Sequence, residues 1–293
     1  MGTDLIAESA EARRLFALAD SVTGLPITQL CADGPLERLT ETDVAQPAVV
    51  VTSLAALAVL REHTALEYAA VAGHSVGEYA ACVAADVFDA ATCLRLVNAR
   101  ARAMAEACSC VDGSMAAVIG LDEEPLRAAC VYASVEGSSV EIANLNAPGN
   151  LIVSGARDAL DRLVARAKDT GARRVLPLNV GGPFHSAYMR PAAIALSSEL
   201  EGVELRSATV PVVTNTMAQP TRDPDVVCQE LSVQVYSPVR WIETLEQLAQ
   251  MGCDRFLEVG PGNVLAGLVR RTLPEAKVAS FGSLADLDAT REF

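Results

Sequence analysis

The chain has 293 residues, of which 51% are hydrophobic and 20% are charged, and this is an ordinary globular composition. Its formal net charge of −14 argues against a nucleic-acid-binding protein, because such binding depends on cationic side chains that contact phosphates. No apolar run reaches the ~18 residues of a membrane-spanning helix, and the N-terminus lacks the basic start and apolar centre of a signal peptide. We therefore expect a cytoplasmic protein that does not associate with a membrane.

The eight cysteines are scattered along the chain, and no Cys-x-x-Cys pair occurs. Since the chain also has only three histidines, this pattern matches neither a zinc site nor a disulfide framework. We expect reduced, structural thiols, no metal site and no bound cofactor.

Apolar runs alternate with amphipathic stretches, and this alternation predicts an α/β protein. The first predicted elements are helix 44–60, a short buried strand within 67–75, helix 76–85 and helix 88–107. Asp89 is a suitable N-cap for the last of these helices.

The middle of the chain has a different order of elements. The predicted elements are strand 113–121, helix 122–134, strands 139–149 and 150–155, helix 156–172 and strand 173–180. This β-α-β-β-α-β order is that of the ferredoxin-like split βαβ unit. We expect residues 113–178 to form a small subdomain inserted into a large α/β domain, which comprises residues 1–112 and 179–293.

The large domain then resumes with alternating helices and strands. These are helix 191–203, strand 208–216, helix 241–252, strand 254–262 and helix 263–273. We expect a hydrolase-like fold for this domain, with a parallel sheet and a nucleophile elbow.

The elbow is predicted from the stretch "YAAVAGHSVGEYAA", which contains Gly-x-Ser-x-Gly around Ser75. This serine follows a predicted strand and precedes a predicted helix, which is the placement of a nucleophile on a sharp turn. The Val76 N–H at the start of that helix could stabilise the negative charge that develops on an attacked carbonyl. The alternative is a turn serine that caps the helix.

A serine nucleophile needs a base, and histidine is the usual one at neutral pH. His74 adjoins the serine along the elbow, where neighbouring side chains diverge, and His63 lies at a polar helix end. His185 lies in the glycine-rich loop "NVGGPFHSAYM", from which a side chain can point into a cleft. By elimination His185 is the predicted base, and the alternative is a structural histidine.

The stretches "GHSVGEYAA", "GPFHSAYM", "QVYSPVRW" and "FLEVGPGNVL", in this order, resemble the malonyl-CoA:acyl carrier protein transacylase family, which includes the acyltransferase domains of polyketide synthases. The resemblance implies a ping-pong transfer for fatty acid or polyketide synthesis. Ser75 would take malonyl from its substrate malonyl-CoA as an ester and pass it to the phosphopantetheine thiol of an acyl carrier protein. His185 would accept and return the proton, and Gln234 occupies the position whose carbonyl orients the histidine.

Malonyl carries a free carboxylate, which an arginine can bind with two hydrogen bonds. The arginine of the family maps to Arg100 in "RLVNARARAM". A helical wheel supports this assignment, because Arg100 lies closer to the apolar face of the predicted helix than Arg95 or Arg102. The alternative is a boundary arginine whose stem covers the core.

The resemblance also bears on the choice of acyl group. Val76, after the serine, and Phe184, before the histidine, are typical of family members that use malonyl, since a bulky ring would crowd an α-methyl branch. We include both with His74, which adjoins the nucleophile, among the predicted substrate-binding residues.

The sequence departs from the family in one respect. Family members begin with an apolar strand and a "GQGSQ" turn, whose glutamine helps to form the oxyanion hole, and this motif does not occur in the chain. The loss of one oxyanion donor typically lowers the rate by about 10²–10³. We therefore expect the chain as given to be weakly active or inactive.

Three alternatives remain at this point. An esterase of the α/β-hydrolase type would need an acidic partner between serine and histidine, for which Asp158 or Asp161 could serve. An acyl hydrolase of the same family would transfer the acyl group to water. A third alternative is an inactive homologue that only docks a carrier protein. The carrier of the family is acidic, so we expect docking on a local basic patch at Arg190 or at 270–271, by a monomer.

Overall fold

The computed structural model describes residues 1–167, 169–290 and 293, and the fold is α/β as predicted. The α-helices are α1 (Thr3–Glu8), α2 (Ala10–Thr23), α3 (Ile27–Asp33), α4 (Leu36–Leu39), α5 (Thr42–His63), α6 (Gly77–Ala84), α7 (Ala90–Ser109), α8 (Glu123–Ala133), α9 (Arg157–Ala167), α10 (Arg190–Leu200), α11 (Pro224–Val233), α12 (Trp241–Gln250), α13 (Val264–Thr272) and α14 (Leu287–Thr290). The strands are β1 (Val71–Ala72), β2 (Gly113–Ile119), β3 (Val140–Ala147), β4 (Asn150–Ala156), β5 (Arg174–Pro177), β6 (Val212–Val213), β7 (Pro220–Thr221), β8 (Arg255–Val259) and β9 (Lys277–Phe281). Short 3-10 helices are formed by Ala187–Met189, Gln234–Tyr236 and Leu284–Asp286.

Helix α5 lies in the core, where it packs against α2 and α7. The helix has 22 residues, and the mean hydropathy of its most apolar stretch is 1.7. It is therefore longer than the apolar run expected from the sequence, and by length and composition it could cross a bilayer. The bent pair α2–α3 passes the same test if it is taken as one span. However, 67% of the apolar stretch of α5 is buried inside the molecule. Burial in the core accounts for the composition of α5, since a helix that is apolar on most sides must be covered by other elements.

Helix α7 begins as predicted, because the Asp89 side chain accepts a hydrogen bond of 2.8 Å from the Thr92 N–H. Its buried face includes Leu94, Val97 and Met104 and packs against α5 and α10. This packing decides which of the arginines on α7 points into the molecule.

The predicted ferredoxin-like order of strands and helices is present between β2 and β5. The sheet order is β3-β4-β2-β5, and all neighbouring strands are antiparallel. Successive residues of β2 face opposite sides of the sheet: Val118 packs in the core under α8 and α9, whereas Met115 and Ala117 contact Phe184 on the other face. Helix α9 ends at Ala167, so the predicted helix 156–172 is too long: Lys168 lies outside the described residues, and residues 169–171 form a turn. The domain boundaries 113–178 stay a prediction.

The parallel strands expected in the large domain are present, but in two small sheets. Strand β1 pairs in parallel with β6, which also pairs with β7, whereas β8 pairs in parallel with β9. A cavity of about 640 Å³, lined by residues of β1, β8, α5 and α12, lies between the two sheets. Within the described chain no strand joins β1 to β8, so the two sheets stay separate.

Candidate active site

Ser75 lies on a sharp turn between β1 and α6, as the elbow predicts. Its φ of 51° is in the left-handed region, where a non-glycine residue costs about 1–3 kcal/mol and persists only if the surroundings hold it. The Asn215 side chain provides that support: its Oδ1 accepts the Ser75 N–H at 2.7 Å, and its Nδ2 donates to the Gly73 carbonyl at 2.7 Å. Asn215 is fully buried after β6, and the sequence analysis missed it.

Gly73 is required by the close approach of the two ends of this turn. A Cβ at Gly73 would lie 2.1 Å from the backbone carbonyl carbon and oxygen of Gly77, a distance that real atoms do not adopt. The first glycine of the motif therefore allows β1 and α6 to meet closely enough to expose the serine.

Ser75 and His185 are 110 residues apart in the chain and form a hydrogen bond, with 2.7 Å between Ser75 Oγ and His185 Nε2. His185 is 4% exposed, and its backbone N–H donates to the Val235 carbonyl at 3.0 Å. The glycine-rich loop around 181–182 packs closely against its surroundings, since a Cβ at Gly182 would lie 2.1 Å from the Cys108 sulfur.

The partners of His185 define which of its nitrogens carries the proton. Nδ1 lies 2.9 Å from the Gln234 carbonyl oxygen and 3.1 Å from that of Ser237. A carbonyl oxygen only accepts hydrogen bonds, so Nδ1 is the protonated nitrogen and Nε2 is free to accept the serine hydroxyl. Burial, together with the positive charge of Arg100, lowers the pKa of His185 to about 3, so the ring is neutral at pH 7.

Arg100 is the arginine of α7 that points inward, with 2% of its surface exposed. One of its terminal nitrogens donates to Ser75 Oγ at 3.1 Å and to Gln234 Oε1 at 3.0 Å, and the other donates to Gln46 Oε1. These partners are neutral oxygens, and the guanidinium forms no ion pair with a carboxylate of the described residues. Arg100 is thus a buried cation next to the serine, and burial lowers its pKa from the ordinary value.

Gln234 contributes through both its backbone and its side chain. Its carbonyl accepts from His185, as the resemblance implies, and its side-chain Oε1 accepts from Arg100. Its Nε2 donates to the Ser75 carbonyl at 3.0 Å and to Glu78 Oε2. The sequence analysis missed Glu78 and Gln46, although both are polar residues within apolar helical runs and are buried in the structure.

The remaining predicted residues lie around the turn. Val76 is the N-cap of α6, and the first N–H groups of a helix have no partner within the helix. Phe184 packs partly buried beside His185 on the sheet face of Met115. The His74 ring has other partners than the serine: its Nε2 lies 2.8 Å from Asn146 Oδ1, and its centroid lies 5.3 Å from that of Trp241.

Neither acid that an esterase triad would need is hydrogen-bonded to His185. Asp158 lies on α9 and accepts from the Ser138 hydroxyl at 2.6 Å and from Arg162 at 3.0 Å. Asp161 lies on the same helix and is exposed. His185 is instead oriented by two backbone carbonyls, and no carboxylate of the described residues is hydrogen-bonded to it.

No cluster of three or more metal-ligating side chains occurs in the described part of the chain. All eight cysteines are free thiols. What the site offers is therefore a serine hydroxyl, a neutral imidazole that can accept its proton, and a fixed guanidinium within hydrogen-bond distance of the same hydroxyl.

Comparisons with known proteins agree with this chemistry. A sequence model described as an acyl transferase domain matches residues 1–287. A malonyl CoA-acyl carrier protein transacylase of Bacillus subtilis is 38% identical over 271 residues, which cover 92% of this chain and 85% of that protein. The crystal structure of an acyl carrier protein S-malonyltransferase from Vibrio cholerae superimposes with a TM-score of 0.93 at 37% identity, covering 99% of this chain and 94% of that one.

A second solved structure holds a type II polyketide synthase acyl carrier protein in complex with its malonyl-transacylase. It superimposes with a TM-score of 0.94 at 37% identity, covering 100% of this chain and 94% of that one. Identity at this level, over nearly the whole chain and with the same fold, shows common descent. The chain belongs to the acyl transferase family, within the malonyl-CoA:acyl carrier protein transacylases.

Proposed function

We propose that this protein transfers malonyl from malonyl-CoA to the phosphopantetheine thiol of an acyl carrier protein through an ester on Ser75. One observation carries this proposal: a single hydroxyl oxygen contacts both a neutral histidine, at 2.7 Å, and a buried arginine, at 3.1 Å. The histidine makes the oxygen a nucleophile, and the arginine provides a cation for the carboxylate at the far end of the acyl group.

In the first half-reaction, Ser75 Oγ attacks the thioester carbonyl of malonyl-CoA while its proton passes to His185 Nε2. The imidazolium that forms is stabilised by the Gln234 and Ser237 carbonyls, which accept its Nδ1–H. The negative oxygen of the tetrahedral intermediate faces the Val76 N–H at the start of α6. The carbon–sulfur bond then breaks, and the coenzyme A sulfur takes the proton from Nε2.

The second half-reaction runs the same steps in reverse. The carrier thiol gives its proton to the neutral His185 and attacks the Ser75 ester, and the ester bond to Oγ breaks as the proton returns to the serine. Only the thiol changes between the two half-reactions, so one base serves both. No cofactor enters either step.

The acyl group is selected at both ends. Arg100 is held by Gln46 and Gln234 with no carboxylate partner among the described residues, so a malonyl carboxylate can supply the missing negative charge. Phe184 and Val76 flank the base and the nucleophile, where a bulky ring and an aliphatic side chain limit branching next to the carbonyl. These contacts support malonyl as the preferred acyl group.

The carrier protein would approach beside the His185 loop. Arg190 lies at the start of α10, and its guanidinium stacks over the Tyr236 ring at 4.8 Å, next to the Gln234 segment. An arginine held in this way offers an acidic carrier a fixed positive charge despite the net charge of −14. Arg270 and Arg271, in the last turn of α13, are a second candidate patch. The protein would act in the cytoplasm, as a monomer.

Intact-mass spectrometry after incubation with malonyl-CoA tests the proposal. A malonyl adduct is expected on the protein and not on Ser75→Ala, and labelled malonyl should move from the adduct to a phosphopantetheinylated carrier protein. Release of the label as free malonate, with none on the carrier, would show an acyl hydrolase instead. Absence of any adduct would overturn the proposal.

A further inference from the structure

Glu78 is a buried carboxyl group without an assigned role in the reaction. It lies in the first turn of α6, three residues after Ser75, and is 0% exposed. Its Oε2 accepts a hydrogen bond from Gln234 Nε2, and its Oε1 has no hydrogen-bond partner in the described part of the structure. Burying such a group without a paired cation is costly, so its contact with Gln234 calls for an explanation.

The explanation lies in the amide of Gln234, which is satisfied in one orientation only. Its two N–H groups point at two acceptors, the Ser75 carbonyl and Glu78, and its Oε1 accepts from Arg100 at 3.0 Å. If the amide were flipped, its oxygen would face the Ser75 carbonyl and its N–H groups would face the guanidinium. Without Glu78, one N–H would have no partner, and only the Ser75 carbonyl and the Arg100 guanidinium would oppose the flip.

Gln234 is also the residue through which the two functional groups are held. Its Oε1 fixes the Arg100 nitrogen that lies 3.1 Å from Ser75 Oγ, and its backbone carbonyl holds the protonated nitrogen of His185 at 2.9 Å. We propose that Glu78 is a positioning residue. Through Gln234 it holds Arg100 where it can bind the acyl carboxylate and His185 where it can accept the proton of Ser75. This inference rests on the malonyl transfer proposed above.

The charge of Glu78 suits this role. Burial, helped by the nearby charge of Glu230, raises the pKa of Glu78 to about 8, against the opposing effects of the Gln234 hydrogen bond and of Arg100. At neutral pH the group is therefore mainly an uncharged acid that can accept the Gln234 N–H. A neutral acceptor does not compete with the acyl carboxylate for Arg100, whereas an ionised one would.

Glu78→Met and Glu78→Gln test the proposal. Methionine fills the buried volume but removes the acceptor, whereas glutamine keeps a neutral oxygen at the same place. Steady-state kcat and KM are measured for wild type and variants with malonyl-CoA and with acetyl-CoA, which has no carboxylate. Rates are normalised to the folded fraction from circular dichroism, and Glu78→Ala is measured alongside so that the result does not depend on one variant folding.

We expect Glu78→Met to lower kcat/KM for malonyl-CoA about tenfold to a hundredfold, with part of the loss in KM, because a hydrogen bond to a buried group that aligns Arg100 is lost. The loss with acetyl-CoA should be smaller, since Arg100 has no partner there. Glu78→Gln should stay within about fivefold of wild type. The matched control is Thr52→Val, which removes another buried hydrogen-bonding group, bound to the Ala48 carbonyl, and should keep the wild-type ratio of malonyl to acetyl activity.

An unchanged ratio of malonyl to acetyl activity in Glu78→Met and Glu78→Ala would overturn the positioning role, as would a Glu78→Gln variant as impaired as Glu78→Met. The wild-type measurement separates this failure from that of the proposed function. If wild type itself transfers no malonyl, the proposed function is wrong and the inference about Glu78 is wrong with it.

Discussion

Replacing Arg100 by methionine should change which acyl group the protein transfers. The guanidinium is 2% exposed and contacts Ser75 Oγ at 3.1 Å, so a carboxylate that binds it is removed from water near the reacting carbonyl. Methionine keeps most of the length of the side chain but has no charge and no N–H. The substitution therefore removes the cation while leaving the buried volume largely filled.

The size of the effect follows from burial. Removing one partner of a buried charge pair costs about 3–5 kcal/mol, because the other charge is left without compensation. Since each 1.4 kcal/mol is a factor of ten, kcat/KM for malonyl-CoA should fall by about 10² to 4 × 10³. Acetyl-CoA carries no carboxylate, so its kcat/KM should fall far less or rise. A buried pair is weakly screened, so we expect the loss to persist at high salt.

The assay is transfer of labelled acyl groups to a phosphopantetheinylated carrier protein from malonyl-CoA and from acetyl-CoA, at several concentrations of each. Arg102→Met is the matched control, because Arg102 lies on the same helix two residues further on and is exposed. It should leave the ratio of the two activities unchanged. An equal loss of both activities in Arg100→Met would refute this reasoning, since it would mean that Arg100 supports the structure of the site without binding the malonyl carboxylate.

Two further predictions concern the nucleophile turn and its base. Burial lowers the pKa of His185 to about 3, so the neutral base is present at pH 5 and above and is lost only as the pH falls through 3. The rate of adduct formation should therefore change less than about twofold between pH 5 and 7, whereas a base with the ordinary pKa of 6.5 would lose activity about 25-fold. Rapid-quench mass spectrometry separates the two outcomes. Asn215→Ala leaves the Ser75 N–H and the Gly73 carbonyl unpaired, so it should lower the free energy of unfolding by about 2–4 kcal/mol, as measured by urea denaturation. A change below about 0.5 kcal/mol would contradict the support assigned to Asn215.

The local features of this fold could be predicted from the sequence because they depend on short-range patterns. The ferredoxin-like order follows from two helical and four extended stretches between residues 113 and 177, and the structure has all of them. The N-cap of α7 at Asp89 and the strand–turn–helix placement of Ser75 depend on residues only a few positions apart. Helix α5 was also predicted, but over 44–60 only, because the prediction followed the apolar run. The helix continues to Thr42 and His63, since polar residues at its ends do not break it.

The arrangement of the site depended on contacts that no local pattern contains. Ser75 and His185 were predicted as a pair from the residue types that their chemistry needs, and the family motifs pointed to Arg100 and Gln234. The side-chain amide of Gln234 joins Arg100 to Glu78, and its backbone carbonyl orients His185. These contacts bring together residues that are up to 156 positions apart in the chain.

The sequence by itself determined the order of the elements, the nucleophile turn and the residue types of the site, because these follow from periodicity, glycine placement and motif spacing. Only the tertiary structure decided that the parallel strands form two sheets with a cavity between them, that Asn215 braces the turn, and that Arg100 is buried without a carboxylate partner among the described residues. The physical reason is that strand pairing and the satisfaction of buried polar groups are settled by neighbours in space, which local sequence does not specify.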